Sequence, residues 1–463
     1  MNFIQNSCIR IPLSFKNEAW FQQIVKHLTR SNPSYSDPSV FETVRFFDQR
    51  DGNLLIPRYY PIEKLGHTKT IYIFEGENIS FKFKSQWRNN LQEQGFDFLV
   101  NNNNGILQLP PGEGKTVIAI GAISKIGKKS IIFVHKDSLS VQWKERFLQH
   151  SDLMEENIGI LENSKIEEVL RKPIVLATVQ SLCSAIKRFE NIEQILKDAN
   201  FGLAIWDECH TTTGAEQYSK TALHLPCMRT YGLSATPGRT DHNDDVIHMN
   251  IGEVYKPDGK TNTLVPKVIM IHFDHKVIAN HKRYVYWGIP DKDGNFKFKY
   301  PRFDTPRYLQ MLTSKRNDQY IPYMKKICQQ VYQAGRNVLF ISDRIKVLDF
   351  CSKIISNKND VGFFIPRSKD KRDSDLKKKF VFSTPGSSRD GTDKAEFDCL
   401  IMANCIANVE QAVGRVCRFL SGKKQPMVFD IVDNGCDDLK KRSEYRKKFY
   451  NSKGWEVEEK FLK

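Results

Sequence analysis

From about residue 100 onward, short runs of consecutive apolar residues alternate with segments whose apolar positions recur every three to four residues. Such apolar runs, bounded by turn residues, predict strands buried on both faces, and the periodic segments predict helices. The predicted strands are 106–109, 131–134, 174–177, 203–206, 230–233, 338–341, 361–364, 380–382, 399–402 and 427–431. The predicted helices include 116–126, 138–149, 316–333 and 346–355. This alternation predicts two tandem α/β domains, each built on a parallel sheet.

The segments outside this alternation have patterns of their own. Residues 1–82 contain short apolar runs separated by turn residues, which predicts a small α+β domain. The predicted α/β domains are 83–245 and 246–435, and 436–463 is a strongly charged tail predicted to be helical. Within the second domain, 274–310 is rich in aromatic and basic residues, and we interpret it as a linker or insertion. Contact with a nucleic-acid strand and simple packing are both open for this segment.

Composition narrows the class of protein. The 463 residues carry a formal net charge of +16, which favours a polyanionic partner such as nucleic acid, although solubility alone is the alternative explanation. The ten cysteines form no CxxC pair, which argues against a zinc ribbon and a disulfide scaffold and favours reduced thiols inside a cell. No signal peptide and no apolar stretch of about 20 residues is recognisable, so we expect a soluble protein without membrane contact.

A glycine-rich turn follows the first strand of the first α/β domain, at 110–116, with the sequence PPGEGKT. Backbone N–H groups of such a turn, and the helix that begins after it, face bound phosphates. Lys115 would reach the β and γ oxygens, and the Thr116 hydroxyl would ligate magnesium. Because Leu109 replaces the first glycine of the full pattern, the turn alone does not separate a nucleotide site from a chance match.

Two acidic residues, Asp207 and Glu208, follow the apolar strand at 203–206. In a parallel sheet they would lie at the same edge as the glycine-rich turn. Asp207 is then a candidate for holding magnesium, and Glu208 for orienting and deprotonating a water molecule. A solvated loop is the alternative, but a buried strand would then end in two uncompensated charges.

A pair of arginines in the second α/β domain, Arg415 and Arg418, lies on a predicted helix that begins near Val409. Residues three apart share one helix face, and arginines beside transferred phosphates stabilise developing negative charge. An ordinary exposed helix face explains the spacing equally well in isolation. Gln411 and Gly414 on the same helix favour a catalytic role.

Together these strings resemble superfamily 2 helicases over roughly residues 85–435. The motifs occur in the family's order, at 110–116, 134–147, 177–182, 207–210, 234–236, 338–348, 382–393 and 411–418. The detail looks most like the branch of xeroderma-type repair translocases, the T-even phage branch-migration helicase and poxvirus-type transcript-release helicases. The stretch 53–60 is similar to the accessory domain of viral members. The sequence departs from the family at Pro111, where a threonine is usual, and at Asp390, where glutamate is usual.

The resemblance implies two tandem RecA-like domains that form a helicase core using ATP and Mg2+, preceded by a nucleic-acid-binding accessory domain. The implied catalytic residues are Lys115, Asp207, Glu208, Gln411, Arg415 and Arg418, with Thr116 and Asp207 at the metal. The implied ATP-binding residues are Gln92 (a candidate adenine contact, from its distance before Lys115), Pro111, Gly112, Glu113, Gly114, Lys115, Thr116 and Asp393. The implied coupling residues are His210, Ser234, Ala235 and Thr236. The implied nucleic-acid contacts are Lys136, Thr178, Gln180, Arg344 and Thr384.

The expected function is therefore ATP-driven movement along DNA by a monomeric motor. RNA as the substrate, an ATP-gated clamp without net movement and a restriction motor all stay open, the last ranked lowest because no nuclease cluster is recognisable. The resemblance suggests a large DNA virus as the source, with transcript release, repair or recombination as roles and transcription or replication machinery as partners. The expected location is the host cytoplasm and the virion, or the nucleus if the source is cellular.

Overall fold

The computed structural model describes residues 1–33, 41–72, 74–162, 165–212, 216–238, 243–259, 261, 263–273, 282–287, 298–303, 305–313, 320–366, 371–389, 394–404, 409–434 and 437–462. Within them the chain divides into two compact units, Met1–Thr261 (the first unit) and Asn262–Lys463 (the second unit).

The first unit begins with a mixed sheet, as the N-terminal pattern predicts. Its described strands lie in the order β5-β6-β2-β1-β7, with β1 parallel to β7 and the other neighbours antiparallel. A hairpin of β3 and β4 and one helix accompany this sheet. The elements are β1 (Asn2–Gln5), β2 (Cys8–Pro12), α1 (Ala19–His27), β3 (Thr29–Pro33), β4 (Phe41–Arg45), β5 (Asp48–Arg50), β6 (Asn53–Pro57) and β7 (Thr68–Ile71).

A wholly parallel sheet with helical connections follows in the same unit. Its described strands lie in the order β10-β11-β9-β12-β13-β8-β14. The helices are α2 (Asn90–Asn101), α3 (Lys115–Ile126), α4 (Asp137–His150), α5 (Ile166–Leu170), α6 (Val179–Arg188), α7 (Ile192–Asp198), α8 (Cys209–Thr212), α9 (Glu216–His224) and α10 (Asp244–Ile251). The strands are β8 (Asn104–Gln108), β9 (Ser130–Val134), β10 (Ile158–Ile160), β11 (Ile174–Thr178), β12 (Leu203–Asp207), β13 (Arg229–Ser234) and β14 (Val254–Tyr255). The strands β9, β11 and β12 are mostly apolar and almost wholly buried, which explains why their sequences show no alternation.

The second unit repeats this arrangement. Its described parallel sheet has the order β19-β20-β18-β21-β22-β15-β23, and β16 and β17 form a separate antiparallel pair. The strands are β15 (Lys267–Phe273), β16 (Lys282–Trp287), β17 (Phe298–Phe303), β18 (Val338–Ile341), β19 (Val361–Phe364), β20 (Phe380–Ser383), β21 (Cys399–Met402), β22 (Met427–Asp433) and β23 (Glu456–Leu462). The helices are α11 (Thr305–Leu312), α12 (Tyr320–Gln333), α13 (Ile345–Ser352), α14 (Arg372–Leu376), α15 (Pro385–Arg389), α16 (Val409–Val416) and α17 (Asp437–Ser452).

These sheets confirm the predicted fold class of two tandem parallel-sheet domains after a small α+β domain. Two predicted boundaries need correction. The first α/β domain extends beyond residue 245, because β14 pairs with β8 in the parallel sheet of the first unit. The charged tail at 436–463 is helical only as far as Ser452, after which β23 pairs with β15 in the second sheet. Charged residues dominate β23, so no apolar run predicted this strand. Of the segment 274–310, the structure describes only β16, β17 and the start of α11.

Helix α17 is fixed to the second sheet by a buried ion pair. The Arg446 guanidinium donates from Nε and Nη2 to the two Asp430 oxygens, at 2.8 and 2.7 Å. Tyr450 donates to the same carboxylate at 2.9 Å. Because both charged side chains are buried and mutually paired, the helix is part of this domain.

The N-terminal sheet is joined to the first parallel-sheet domain by a buried histidine. His224, at the end of α9, faces Asp48 from Nε2 at 3.0 Å and Glu193 from Nδ1 at 3.2 Å. Arg10 on β2 also pairs with Glu193, at 2.5 Å. Burial lowers the pKa of His224, but the hydrogen bonds to both carboxylates outweigh it, and the pKa is raised. The hydrogen bond from His224 lowers the pKa of Glu193 to about 2. Burial raises this pKa, but the hydrogen bond from Arg10 adds to the lowering.

Replacing His224 with alanine is expected to lower the free energy of unfolding by about 1–3 kcal/mol near neutral pH, because the half-buried Asp48 and Glu193 carboxylates lose a hydrogen-bonded counter-charge. The folded-state pKa of His224 is raised, so its contribution is fully present below about pH 6.5 and is lost as pH rises through that raised pKa. Urea unfolding of wild type and variant across pH should therefore show a difference that shrinks at alkaline pH. The matched control is His248→Ala, since the ion pair that His248 makes is with the exposed Glu253. A difference independent of pH would contradict the ionic role.

Candidate active site

The glycine-rich turn lies between β8 and α3 and forms an open cradle of backbone. Gly112 and Gly114 have φ values of 88° and 83°, in the left-handed region that favours glycine. A Cβ on Gly114 would lie 2.5 Å from the Gln92 amide nitrogen, so a larger residue would displace that side chain. Helix α3 begins at Lys115 directly after the cradle, and its first N–H groups lack helical acceptors. The turn therefore has the geometry that binds phosphates.

The segment before α2 holds this turn in place. Arg88 donates from Nη2 to the Gly112 carbonyl at 3.1 Å, and Gln92 donates to the Glu113 carbonyl at 2.8 Å. The Asn89 amide donates to the buried Glu113 carboxylate at 3.1 Å. The Gln92 oxygen accepts from the Arg88 backbone N–H at 2.8 Å. Both ends of the Gln92 amide thus support the turn, and its contact with adenine stays a prediction. No motif in the sequence points to Arg88, and only the capping preference of asparagine at the start of α2 points to Asn89.

Lys115 lies where the sequence predicts, at the first position of α3. Its ammonium donates to the Leu109 carbonyl at 2.9 Å, which folds the side chain back over the turn. Thr116 follows in the first helical turn and is half-buried. Both side chains are therefore at the mouth of the cradle.

The acidic pair lies at the carboxyl end of β12, as predicted. Asp207 accepts from the indole Nε1 of Trp143 at 2.8 Å and from the Glu208 backbone N–H at 3.1 Å. Burial raises the pKa of Asp207, the charge of Glu208 adds to this, and Trp143 and Lys115 oppose it. A desolvated carboxylate next to a phosphate cradle is well suited to a divalent cation, whose charge offsets the cost of burial. Asp207 and Thr116 are the residues that would hold magnesium, which would neutralise charge on the phosphates.

Glu208 has an unusual backbone conformation. Its φ of 47° is in the left-handed region, which is costly for a residue with a side chain and is found at functional sites. The tight turn that begins here is closed by a 2.7 Å bond from the Thr211 N–H to the Glu208 carbonyl. Glu208 is thereby held at the sheet edge through its carbonyl as well as through its N–H, which donates to Asp207.

The candidate coupling residues lie in one chain of contacts. His210 Nδ1 lies 3.5 Å from the Glu208 carboxylate and 3.0 Å from the Ser234 hydroxyl. That hydroxyl accepts from the Thr236 N–H at 3.1 Å. The Ser234 carbonyl accepts from the Leu109 N–H at 3.1 Å, next to the cradle. The Ala235 carbonyl accepts from the Gln108 side chain at 3.3 Å. The candidate base, the 234–236 segment and the start of the cradle are thus directly connected.

The candidate nucleic-acid contacts of the first unit fall into two kinds. Lys136 and Gln180 are exposed, and Gln180 donates to the His135 carbonyl at 3.3 Å. Thr178 is buried and caps α6, with its hydroxyl accepting from the Ser181 N–H at 3.2 Å. Thr178 therefore has a structural task in the helix, whereas Lys136 and Gln180 remain accessible.

In the second unit, the candidate arginines need one correction. Gln411 and Arg415 lie on α16, and the Gln411 amide oxygen is buried without a hydrogen bond among the described residues. Arg418 is not on this helix, because α16 ends at Val416 and Arg418 forms a β-bridge with Thr263. The sequence spacing of three residues therefore does not place both arginines on one helix face.

The remaining candidates of the second unit begin helices. Arg344 is the N-cap residue of α13, and its Nε is buried without a partner within the described part of the chain. The Thr384 hydroxyl accepts from the Ser387 N–H at 3.3 Å, at the start of α15. Asp393 and Asp390 lie outside the described residues.

Comparison with known proteins agrees with this site. Residues 77–239 match the family described as type III restriction enzyme, res subunit, a segment that includes the cradle, the acidic pair and the coupling residues. Helicases recur among the relatives. A putative ATP-dependent RNA helicase L396 of Acanthamoeba polyphaga mimivirus is 25% identical over 433 residues, covering 89% of this chain and 77% of the relative. These matches agree with the resemblance of the sequence to superfamily 2 helicases.

Two further similar proteins are matched over about a third of their own length or less. A putative DNA 3'-5' helicase Rad25 of Halobacterium salinarum is 28% identical over 161 residues, which is 35% of this chain and 25% of that relative. The solved structure of the ATP-dependent type ISP restriction-modification enzyme LlaBIII bound to DNA is similar with a TM-score of 0.54 and 14% identity, over 82% of this chain and 31% of that one. This structural likeness supports the tandem RecA-like fold. Among the described helices, none is long and apolar enough to span a membrane.

Proposed function

We propose that this chain is an ATP-dependent helicase or translocase that moves along DNA. The observation that carries the proposal is the chain of contacts from Glu208 through His210 and Ser234 to Thr236. A base that only hydrolysed ATP would need no such connection. Here a change in the position of Glu208 during hydrolysis would alter the 234–236 segment.

Each group has a defined task in this proposal. Lys115 and the cradle bind the phosphates, Asp207 and Thr116 hold magnesium, and Glu208 takes a proton from the attacking water. Gln411, Arg415 and Arg418 of the second unit approach the phosphates when the two units close. Repeated closure and opening, with nucleic-acid contacts at Lys136 and Gln180 on one side and at Arg344 and Thr384 on the other, would give net movement.

Three observations favour nucleic acid, and DNA in particular, as the substrate. The net charge of +16 suits a polyanion. One relative is named a DNA 3'-5' helicase, and the similar restriction enzyme was solved bound to DNA. The mimivirus relative is named an RNA helicase, so RNA is the second candidate substrate. The similarity to a mimivirus helicase also supports a viral source. The role proposed with it, on the resemblance of the motifs, is in transcript release, repair or recombination.

The test combines ATPase and displacement measurements on the full chain. We expect ATP turnover to rise with DNA more than with RNA of the same length, and a DNA triplex to lose its third strand only when ATP is hydrolysed. Stimulation by RNA alone would replace the DNA proposal with the RNA alternative. ATP-dependent binding without triplex displacement would favour a clamp. Absence of any nucleic-acid stimulation would contradict the proposal.

A further inference from the structure

The indole of Trp143 donates a hydrogen bond to the carboxylate of Asp207, which would hold magnesium. Trp143 lies on α4 and is only 2% exposed, packed beside Phe147. Its Nε1 donates to Asp207 Oδ2 at 2.8 Å, while Asp207 Oδ1 accepts the Glu208 N–H. An indole N–H can only donate a hydrogen bond, and here the Asp207 oxygen accepts it. Because the indole nitrogen has no free lone pair, Trp143 cannot itself bind the metal. The two hydrogen bonds fix the plane of the Asp207 carboxylate.

The same helix begins at the candidate nucleic-acid edge. Lys136 is the N-cap residue of α4 and is exposed. The preceding residue, His135, offers its carbonyl to the exposed Gln180 amide at 3.3 Å. From Lys136 to Trp143 the helix rises about 10 Å, so a shift at its start moves the indole as a rigid body. The helix thus connects two accessible polar side chains to the plane of a buried carboxylate.

We propose that Trp143 is a positioning residue that fixes Asp207 for magnesium and transmits nucleic-acid binding at the start of α4 to the metal site. This rests on the proposed function, because it takes Asp207 as the metal ligand and Lys136 and Gln180 as the nucleic-acid contacts. Residues that orient a metal ligand typically change metal affinity by about 10–100-fold when they are removed.

The decisive variant is Trp143→Phe, which keeps a buried aromatic ring and removes the N–H donor. Its matched control is Trp206→Phe. Trp206 is equally buried and stacks on Phe133 at 5.2 Å, but its Nε1 has no hydrogen-bond partner within the described residues. Each variant loses one buried indole from the first unit, Trp143 from α4 and Trp206 from β12, and only the first loses a hydrogen bond to Asp207. Thermal unfolding of the two variants measures the shared packing effect.

The main readout is the binding of a fluorescent ADP analogue with and without Mg2+, which needs no turnover. We expect Trp143→Phe to bind the nucleotide normally without Mg2+ and to need about 10-fold more Mg2+ for the metal-dependent gain in affinity. The fold-stimulation of ATPase by DNA should fall in the same variant. Trp206→Phe should match wild type in both measurements. Unchanged Mg2+ dependence in Trp143→Phe would overturn the proposal.

Two further measurements separate this proposal from packing and from the proposed function. In an Asp207→Asn background, Trp143→Phe should add no further change in Mg2+ dependence, because the effect passes through that carboxylate. If the two substitutions instead change Mg2+ dependence independently, the mechanism is contradicted. In wild type, the NMR resonance of the Trp143 indole N–H should shift when Mg2+ and ADP bind. If wild type binds Mg2+ and nucleotide but no nucleic acid stimulates it, the proposed function fails while the positioning role stands.

Discussion

Replacing Lys115 with alanine is expected to abolish ATP hydrolysis. The Lys115 ammonium is a charged donor at the mouth of the cradle, where it donates to the Leu109 carbonyl at 2.9 Å. Removing one donor that stabilises developing charge costs about 10²–10³-fold in kcat, and lost ground-state binding adds to this. DNA-stimulated phosphate release, measured at saturating DNA, should therefore fall to background.

The control for this prediction is Lys125→Ala. Lys125 is exposed at the last turn of the same helix, α3, so the variant removes the same charge from the same element away from the cradle. We expect it to keep wild-type turnover. Turnover in Lys115→Ala within a few-fold of wild type would mean that the cradle is not the nucleotide site.

The tandem α/β fold could be predicted because strands buried on both faces of a parallel sheet have sequences of consecutive apolar residues. Elements that depend on pairing rather than on apolarity could not be predicted. Strand β23 is mostly charged and is a strand because it lies along β15. Likewise α16 ends at Val416 because Arg418 bridges to Thr263, a residue distant in sequence.

The candidate site shows the same division. The cradle and the acidic pair are short continuous strings, and the strand order brings them to one sheet edge. The bonds that orient them join residues from separate elements. The hydrogen bond between Trp143 on α4 and Asp207 at the end of β12 joins residues 64 positions apart in the sequence, so no local pattern predicts it. Gln92 was placed near the nucleotide by its distance before Lys115, whereas its observed bonds hold the turn itself.

Replacing Glu208 with glutamine is expected to stop hydrolysis while leaving nucleotide binding intact. The amide has nearly the same shape and can still contact His210, which lies 3.5 Å from the carboxylate. It cannot accept a proton, and loss of a general base typically costs about 10²–10⁴-fold in rate. Turnover with saturating DNA should fall by this amount, and affinity for the fluorescent ADP analogue with Mg2+ should stay within about two-fold of wild type.

Lost turnover with retained nucleotide binding distinguishes Glu208 from Lys115. Removing the Lys115 side chain should weaken both nucleotide binding and turnover. Glu145→Gln is the matched control, because Glu145 is exposed on α4 and the same atoms are exchanged. Because Glu208→Gln retains ATP, it should also trap the state that precedes hydrolysis. DNA affinity measured with ATP should then resemble that of wild type with a non-hydrolysable analogue. A variant that hydrolyses ATP at the wild-type rate would assign the base to another residue, and one that binds no nucleotide would make Glu208 structural instead.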